Sequence, residues 1–223
     1  MWHQRLAHPH QSVLRRLLPD VQASTGDSTC NVCLEAKIKQ KVERKPVSRS
    51  AKPFELIHSD LCGPFPSSLG GACYYILYID DCTRYVESYL LVTKSASEIQ
   101  AKFEDYKAWV EAQGFRIQRF RSDNGTGEYW NSAILQTLPI SGITFEPAPP
   151  YTQHKNGVAE RMIQTIDNKA RCLILDVELP PQFWGEVIKT SVYIHRRTST
   201  SSLKGYCSPF EALYGTTSPV YHL

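Results

Sequence analysis

The class of the fold turns on Ser95-Ala-Ser-Glu-Ile-Gln-Ala-Lys-Phe-Glu-Asp-Tyr-Lys-Ala-Trp-Val-Glu-Ala-Gln-Gly114-Phe-Arg-Ile-Gln-Arg-Phe-Arg-Ser-Asp-Asn-Gly125. The pattern predicts a helix over about 95–112, closed by Gly114, and then a strand over 115–121 that ends on the turn chemistry of Ser122-Asp123-Asn124-Gly125. Upstream, strand signals cover 54–61, the nearly unbroken apolar run Tyr74 to Ile79, and 85–92. Gly70-Gly71 and Asp80-Asp81 supply the turns between them, as in an antiparallel meander. A helix interposed between strands implies a crossover, so the sheet is mixed and the class is α/β or α+β. Downstream, the Pro147-Ala-Pro-Pro150 segment leads into a helix over about 155–176. At 100° per residue, Val158, Met162, Ile166 and Leu173 fall on one side of it, and Asn156, Glu160, Gln164, Asp167 and Arg171 on the other. A last helix, about 181–200, carries Phe183, Trp184, Val187, Ile188, Val192, Tyr193 and Ile194.

The chain has 223 residues, more than the usual ~150 of one domain, which leaves one large domain or a small one plus a medium one. At 42% hydrophobic and 21% charged residues it can bury a real core, which excludes bulk disorder and fibrous classes. No run reaches the ~18 apolar residues of a membrane span. Met1 is followed by Trp-His-Gln-Arg rather than an apolar signal segment, so no membrane partner is expected. The seven cysteines are scattered apart from Cys30 and Cys33, as reduced thiols of the cytosol or nucleus would be.

A net charge of +3 is too small by itself to imply a nucleic-acid partner, but its distribution is uneven. Residues 31–52 hold seven basic side chains (Lys37, Lys39, Lys41, Arg44, Lys45, Arg49 and Lys52) against Glu35 and Glu43, a local charge of +5. The stretch then passes into Pro46-Val-Ser-Arg-Ser-Ala-Lys-Pro53, which has the composition of an extended connector.

Ahead of the connector, His3, His8, Cys30 and Cys33 form a His-x4-His and Cys-x2-Cys set, with His10 able to stand in for His8. Two imidazoles and two thiolates suit one tetrahedral structural Zn²⁺. A head of 40–50 residues buries little apolar surface and needs such a staple. A second constellation is acidic. Asp60 and Asp123 each stand at a predicted strand end, and Glu160 stands early on the outward face of a helix. Three carboxylates from different elements can meet at one sheet edge and hold two Mg²⁺ (or Mn²⁺) ions ~3.5–4 Å apart, the arrangement that supports in-line phosphoryl transfer. On residue type alone, Asp123 is equally a turn residue and Glu160 a solvated helix residue. Asp80-Asp81 reads as a hairpin turn, His58 as a packed strand histidine, and Tyr74, Tyr75 and Tyr78 as sheet core.

On these residues the chain resembles the integrase region of a copia-type LTR-retrotransposon polyprotein over almost its whole length. Trp2-His-Gln-Arg-Leu-Ala-His-Pro9 with Cys30-Asn-Val-Cys33 resembles the family's zinc-binding head. His58-Ser-Asp-Leu-Cys-Gly-Pro64 and Tyr78-Ile-Asp-Asp-Cys-Thr-Arg-Tyr85 resemble the first-aspartate segment and the hairpin after it. Arg121-Ser-Asp-Asn-Gly125 resembles the second-aspartate motif, and Pro150-Tyr-Thr-Gln-His-Lys-Asn-Gly-Val-Ala-Glu-Arg161 the glutamate helix. Leu179-Pro-Pro-Gln-Phe-Trp-Gly-Glu186 and Ser208-Pro-Phe-Glu-Ala-Leu-Tyr-Gly215 are similar to its helical tail. Thr126 interrupts the usual Gly-Gly-Glu, so 36 residues separate Asp123 from Glu160, one more than is common in the family.

The resemblance implies an α/β fold, a ribonuclease H-like mixed five-stranded sheet flanked by helices and preceded by a small helical zinc-binding domain. It implies that 1–45 is that domain, 46–53 the basic linker, 54–178 the catalytic core, and 179–223 a helical extension. It implies that Asp60, Asp123 and Glu160 are the metal-binding catalytic carboxylates of a DNA strand transferase, joining 3′ ends of element DNA to target DNA. Lys37, Lys39, Lys41, Arg44 and Lys45 would then run along DNA phosphates, and Lys155, Asn156, Gln164 and Arg171 would touch DNA beside Glu160. A homo-oligomer, an origin in a longer polyprotein, and assembly in the cytoplasm before action in the nucleus follow as expectations. A catalytically inactive or host-adopted nucleic-acid-binding remnant is the competing expectation.

Overall fold

The computed structural model describes residues 49–123, 138–148 and 157–217. They fall within one compact unit, 47–223. Strands β1 (Leu56–Cys62), β2 (Tyr74–Asp80) and β3 (Val86–Leu91) are followed by α1 (Ala96–Ala112), β4 (Arg119–Asp123), β5 (Thr144–Ala148), α2 (Gly157–Asp176), α3 (Trp184–Arg197) and α4 (Pro209–Tyr214). The five strands form one sheet in the order β3-β2-β1-β4-β5. β1 pairs antiparallel with β2, β2 antiparallel with β3, and the pairs β1–β4 and β4–β5 are parallel. The expected meander and crossover are both present, and the sheet is mixed.

The unbroken apolar run of β2 has a physical cause: both faces of the sheet are covered, so neither set of alternating side chains meets water. Ile57, Ile76, Tyr78 and Phe120 pack with Ile99, Phe103, Tyr106 and Val110 of α1. Tyr75, Leu77, Ile79 and Val86 pack on the opposite face with α2 and α3, through Ala159, Met162, Ile166, Trp184, Ile188 and Val192 among others. Helix α1 begins where the Ser95 hydroxyl accepts from the Glu98 backbone N–H, and it is followed by Gly114 at φ 82°.

Three local expectations shift. The fourth strand starts four residues later than the pattern suggested, and Asp123 is its last residue. A fifth strand forms over Thr144–Ala148, where Pro147 argues against a central strand. Its place at the sheet edge removes the objection, because an edge strand does not need every N–H. The helix read over 181–200 is a 3₁₀ turn, Pro181–Phe183, leading into a shorter α3 that ends at Arg197.

The turn between β2 and β3 also holds the incoming chain. The Asp80 carboxylate accepts from the Phe54 N–H (2.8 Å) and from the Thr83 N–H and hydroxyl. Asp81 accepts from the Ser50 N–H (2.7 Å), His58 Nε2 (3.1 Å) and Arg84 (2.8 Å). Residues 50–54 are therefore tied to the sheet. Beyond β1, Gly63 sits at φ +134°, and a Cβ there would lie 2.6 Å from Tyr74 Cδ1 and 2.8 Å from the Cys73 carbonyl oxygen. Only glycine lets that loop pass so close to β2.

Candidate active site at the ends of β1 and β4

The parallel register of β1 and β4 runs Leu56 with Arg119, Ile57 with Phe120, His58 with Arg121 and Ser59 with Ser122. Carried one residue further along both strands, it sets position 60 beside position 123. Asp123 is also the register partner of Ala148 on β5. In the antiparallel direction Asp60 lies opposite Leu77 and Cys62 opposite Tyr75. Strand alternation therefore places Asp60 on the sheet face covered by α2 and α3.

Asp60 is half-buried, and its Oδ1 accepts from the Leu61 N–H at 2.9 Å. Glu160, in the first turn of α2, is half-buried as well, beside the fully buried Ala159. Helix α2 packs on β1 and β2. Glu160 thus stands at the margin of the helix–sheet contact rather than on an open surface. The backbone brings the positions of Asp60 and Asp123 together at the ends of neighbouring strands, under the helix that carries Glu160. The Asp123 side chain lies outside the described residues. Among the described residues no group of three or more His, Cys, Asp or Glu side chains is gathered to hold a metal ion.

Gln164 and Arg171 are exposed on α2. Lys155 and Asn156 lie outside the described residues. So do His3, His8, Cys30, Cys33, Lys37, Lys39, Lys41, Arg44 and Lys45.

Asp167 departs from the sequence reading. The helical pattern sets it on the outward face of its helix, yet it is half-buried and its Oδ1 accepts from the Tyr75 hydroxyl at 2.6 Å. Helical phase sets Asp167 within about 20° of Glu160 on the outward side, and only its packing partner decides that it is half-buried. The arginines and glutamates near β1 and β4 are paired within the fold. Arg119 pairs with Glu146 (3.1 Å) and Glu55 (3.2 Å), and Arg121 with Glu146. Burial opposes the charge of Glu146, but hydrogen bonds from Arg121 and Arg119 outweigh it and hold the carboxyl below its ordinary range. His58 is buried, and burial lowers its pKa more than the Asp81 hydrogen bond raises it. The neutral ring donates through Nε2, so the contact with Asp81 is a hydrogen bond rather than an ion pair. As expected, His58 is a packed strand histidine and Tyr75 and Tyr78 are core.

No protein-family model matches the chain. It is 34% identical over 209 residues, 91% of its length, to the "Retrovirus-related Pol polyprotein from transposon TNT 1-94" of Nicotiana tabacum. It is 31% identical over 99% of its length to the corresponding polyprotein from transposon RE1 of Arabidopsis thaliana. Its homologues are the Pol polyproteins of copia-type retrotransposons. The chain spans only 16% and 15% of the length of these two relatives. Among solved structures it resembles a chain of the simian T-cell lymphotropic virus intasome in complex with a PP2A regulatory subunit. The TM-score is 0.64 at 15% identity, covering 99% of this chain and 74% of that one. It also resembles the HTLV-2 integrase catalytic core domain in complex with magnesium, with TM-score 0.56 at 14% identity, covering 74% of this chain and all of that one. The five-stranded sheet and its helices are therefore the ribonuclease H-like fold of retroviral integrase catalytic cores. No helix of the described residues is long and apolar enough to cross a membrane.

Proposed function

We propose that the chain is the integrase region of a retrotransposon polyprotein and that it joins 3′ ends of element DNA to target DNA. The observation that carries this reading is the β1–β4 register, which brings positions 60 and 123 side by side beneath the helix of Glu160. Asp60, Asp123 and Glu160 form a hard-oxygen donor set that fits Mg²⁺ or Mn²⁺, and the magnesium-bound core among the structural neighbours supports such a cation here. Two ions held there would favour deprotonation of the attacking 3′-hydroxyl and stabilise the negative charge that develops on the leaving 3′-oxygen. The protein's own part is to hold the three carboxylates on a rigid sheet and helix, so that little reorganisation accompanies the displacement.

In this reading 1–45 is a domain stapled by one Zn²⁺ on His3, His8, Cys30 and Cys33. Residues 46–53 are the linker, 54–178 the catalytic core, and 179–223 its extension. Lys37, Lys39, Lys41, Arg44 and Lys45 follow DNA phosphates, and Lys155, Asn156, Gln164 and Arg171 approach DNA near Glu160, all with strong salt dependence. Joining two ends at one target calls for more than one protomer, assembled in the cytoplasm and acting in the nucleus.

The test is strand transfer by the purified chain with a short DNA duplex and Mg²⁺. Asp60→Asn, Asp123→Asn and Glu160→Gln are each expected to lower joining by at least about 100-fold, the equivalent of a few kcal/mol of transition-state stabilisation, with folding and DNA binding retained. Undiminished joining by any one of the three removes that residue from the assigned site.

A further inference from the structure

Tyr75 and Asp167 connect the two elements that carry Asp60 and Glu160. On the sheet side, Cys62 lies two residues beyond Asp60 on the same face of β1 and is the register partner of Tyr75. Cys62 and Tyr75 therefore face the same side of the sheet, toward α2 and α3. On the helix side, the Tyr75 hydroxyl donates to Asp167 Oδ1 at 2.6 Å. Asp167 follows Glu160 by seven residues, which is within about 20° of the same line along α2 and roughly 10 Å down its axis.

The buried side chains of α2 are all apolar: Ala159, Met162, Ile166 and Ala170. Apolar contact is non-directional and, though close-packed, resists small axial slides and small rotations of a helix less sharply than a directional bond does. A short hydrogen bond from a fixed ring resists both. The Tyr75 ring is fixed: it is fully buried and stacked on Phe65 (5.9 Å, 18° between planes), which in turn packs on Trp184 at 4.8 Å. Trp184 Nε1 donates to the Pro66 carbonyl at 2.7 Å. Burial and the bond to Asp167 carry the phenol far above its ordinary range, so it remains the donor.

We propose that the Tyr75–Asp167 hydrogen bond is a strut that sets the height and rotation of α2, and through it the position of Glu160 against the carboxylates of β1 and β4. Tyr75 and Asp167 are positioning residues, and the inference rests on the metal-site reading above. A site that binds paired cations tolerates displacements of only about 0.5 Å, well under the 1.5 Å of a one-residue slip along a helix.

The test is a Mn²⁺ titration of the full chain, read by the electron paramagnetic resonance of free Mn²⁺, with duplex binding in the absence of metal as a second measurement. Tyr75→Phe removes the donor and is expected to weaken Mn²⁺ binding by about 10-fold while leaving metal-free duplex binding unchanged. Asp167→Asn keeps an acceptor oxygen for the phenol and is expected to stay within about twofold of wild type, whereas Asp167→Ala behaves like Tyr75→Phe. Wild-type Mn²⁺ affinity in Tyr75→Phe, or an Asp167→Asn as weak as Asp167→Ala, overturns the strut. Glu160→Gln separates the two levels of the argument. If it weakens Mn²⁺ binding and Tyr75→Phe does not, the strut alone is wrong. If it has no effect, or wild type binds no Mn²⁺, both the metal site and the strut are wrong.

Discussion

At the scale of single residues, polarity and burial conflict most sharply at His195. It stands on α3 with 8% of its surface exposed, and its Nε2 has no hydrogen-bond partner among the described residues. Burial, with Lys169 and Arg196 nearby, lowers its pKa to about 4. The unfolded chain binds this proton near pH 6.5 and the folded one only near pH 4, so the unfolded state holds more protons in between. Stability must then fall as pH drops through that window. The share owed to this residue is about 2 kcal/mol between pH 7 and pH 5. Asp80 and Glu87, whose carboxyl pKa values burial raises, act in the opposite sense. The informative quantity is therefore the difference between wild type and His195→Gln in urea unfolding at the two pH values. The variant should lose less stability on acidification, and equal losses would mean that the ring is not held neutral. Helical phase sets His195 on the side of Trp184, Ile188 and Val192, so its side is legible in the sequence, but only the packing leaves its Nε2 buried without a partner among the described residues.

At the scale of elements, α3 is fastened to the sheet by polar as well as apolar contacts. Arg196 Nε donates to the Val86 carbonyl at 2.6 Å, its guanidinium pairs with Glu87, and it lies 4.8 Å from the centre of the Tyr85 ring. Glu87 and Arg196 are both largely shielded from solvent. Removing the arginine leaves a carboxylate and a strand carbonyl without partners, so Arg196→Ala is expected to cost about 3 kcal/mol. Arg196→Lys should recover little of it, because an ammonium cannot meet the carbonyl, the carboxylate and the ring face together. Chemical denaturation measures both, and a lysine variant as stable as wild type would reduce the contact to simple charge pairing. The existence of each element and most of its span were legible, because the period of apolar residues reports the faces that must be buried. Two things were not. Five strands were implied by the family resemblance, but the place of the fifth in the chain was hidden because Pro147 is acceptable only at a sheet edge, and strand order is a tertiary property. The side taken by Asp167 was hidden because it depends on a phenol 92 residues away.

At the scale of the whole molecule, the proposed zinc head and the 54–178 core draw on different sources of stability. The core buries side chains on both faces of a five-stranded sheet. A head of about 45 residues lacks that option, and a bound metal would supply its folding free energy directly. Metal analysis of the purified chain should find about one zinc per chain, and a strong chelator should unfold 1–45 while the core retains its hydrogen-exchange protection. A zinc-free chain with a protected head would defeat the assignment. The sequence by itself determined that the sheet is mixed, because a helix between strands requires a crossover. It also supplied the three carboxylates, whose resemblance to a family motif is written in local strings of residues. The tertiary structure alone decided that β4 lies beside β1 rather than beside β3, with the register that brings positions 60 and 123 together. It alone drew Asp167 under the helix to Tyr75. The reason is physical: local sequence sets which face of an element is apolar, but which element covers that face depends on long-range packing that no single segment encodes.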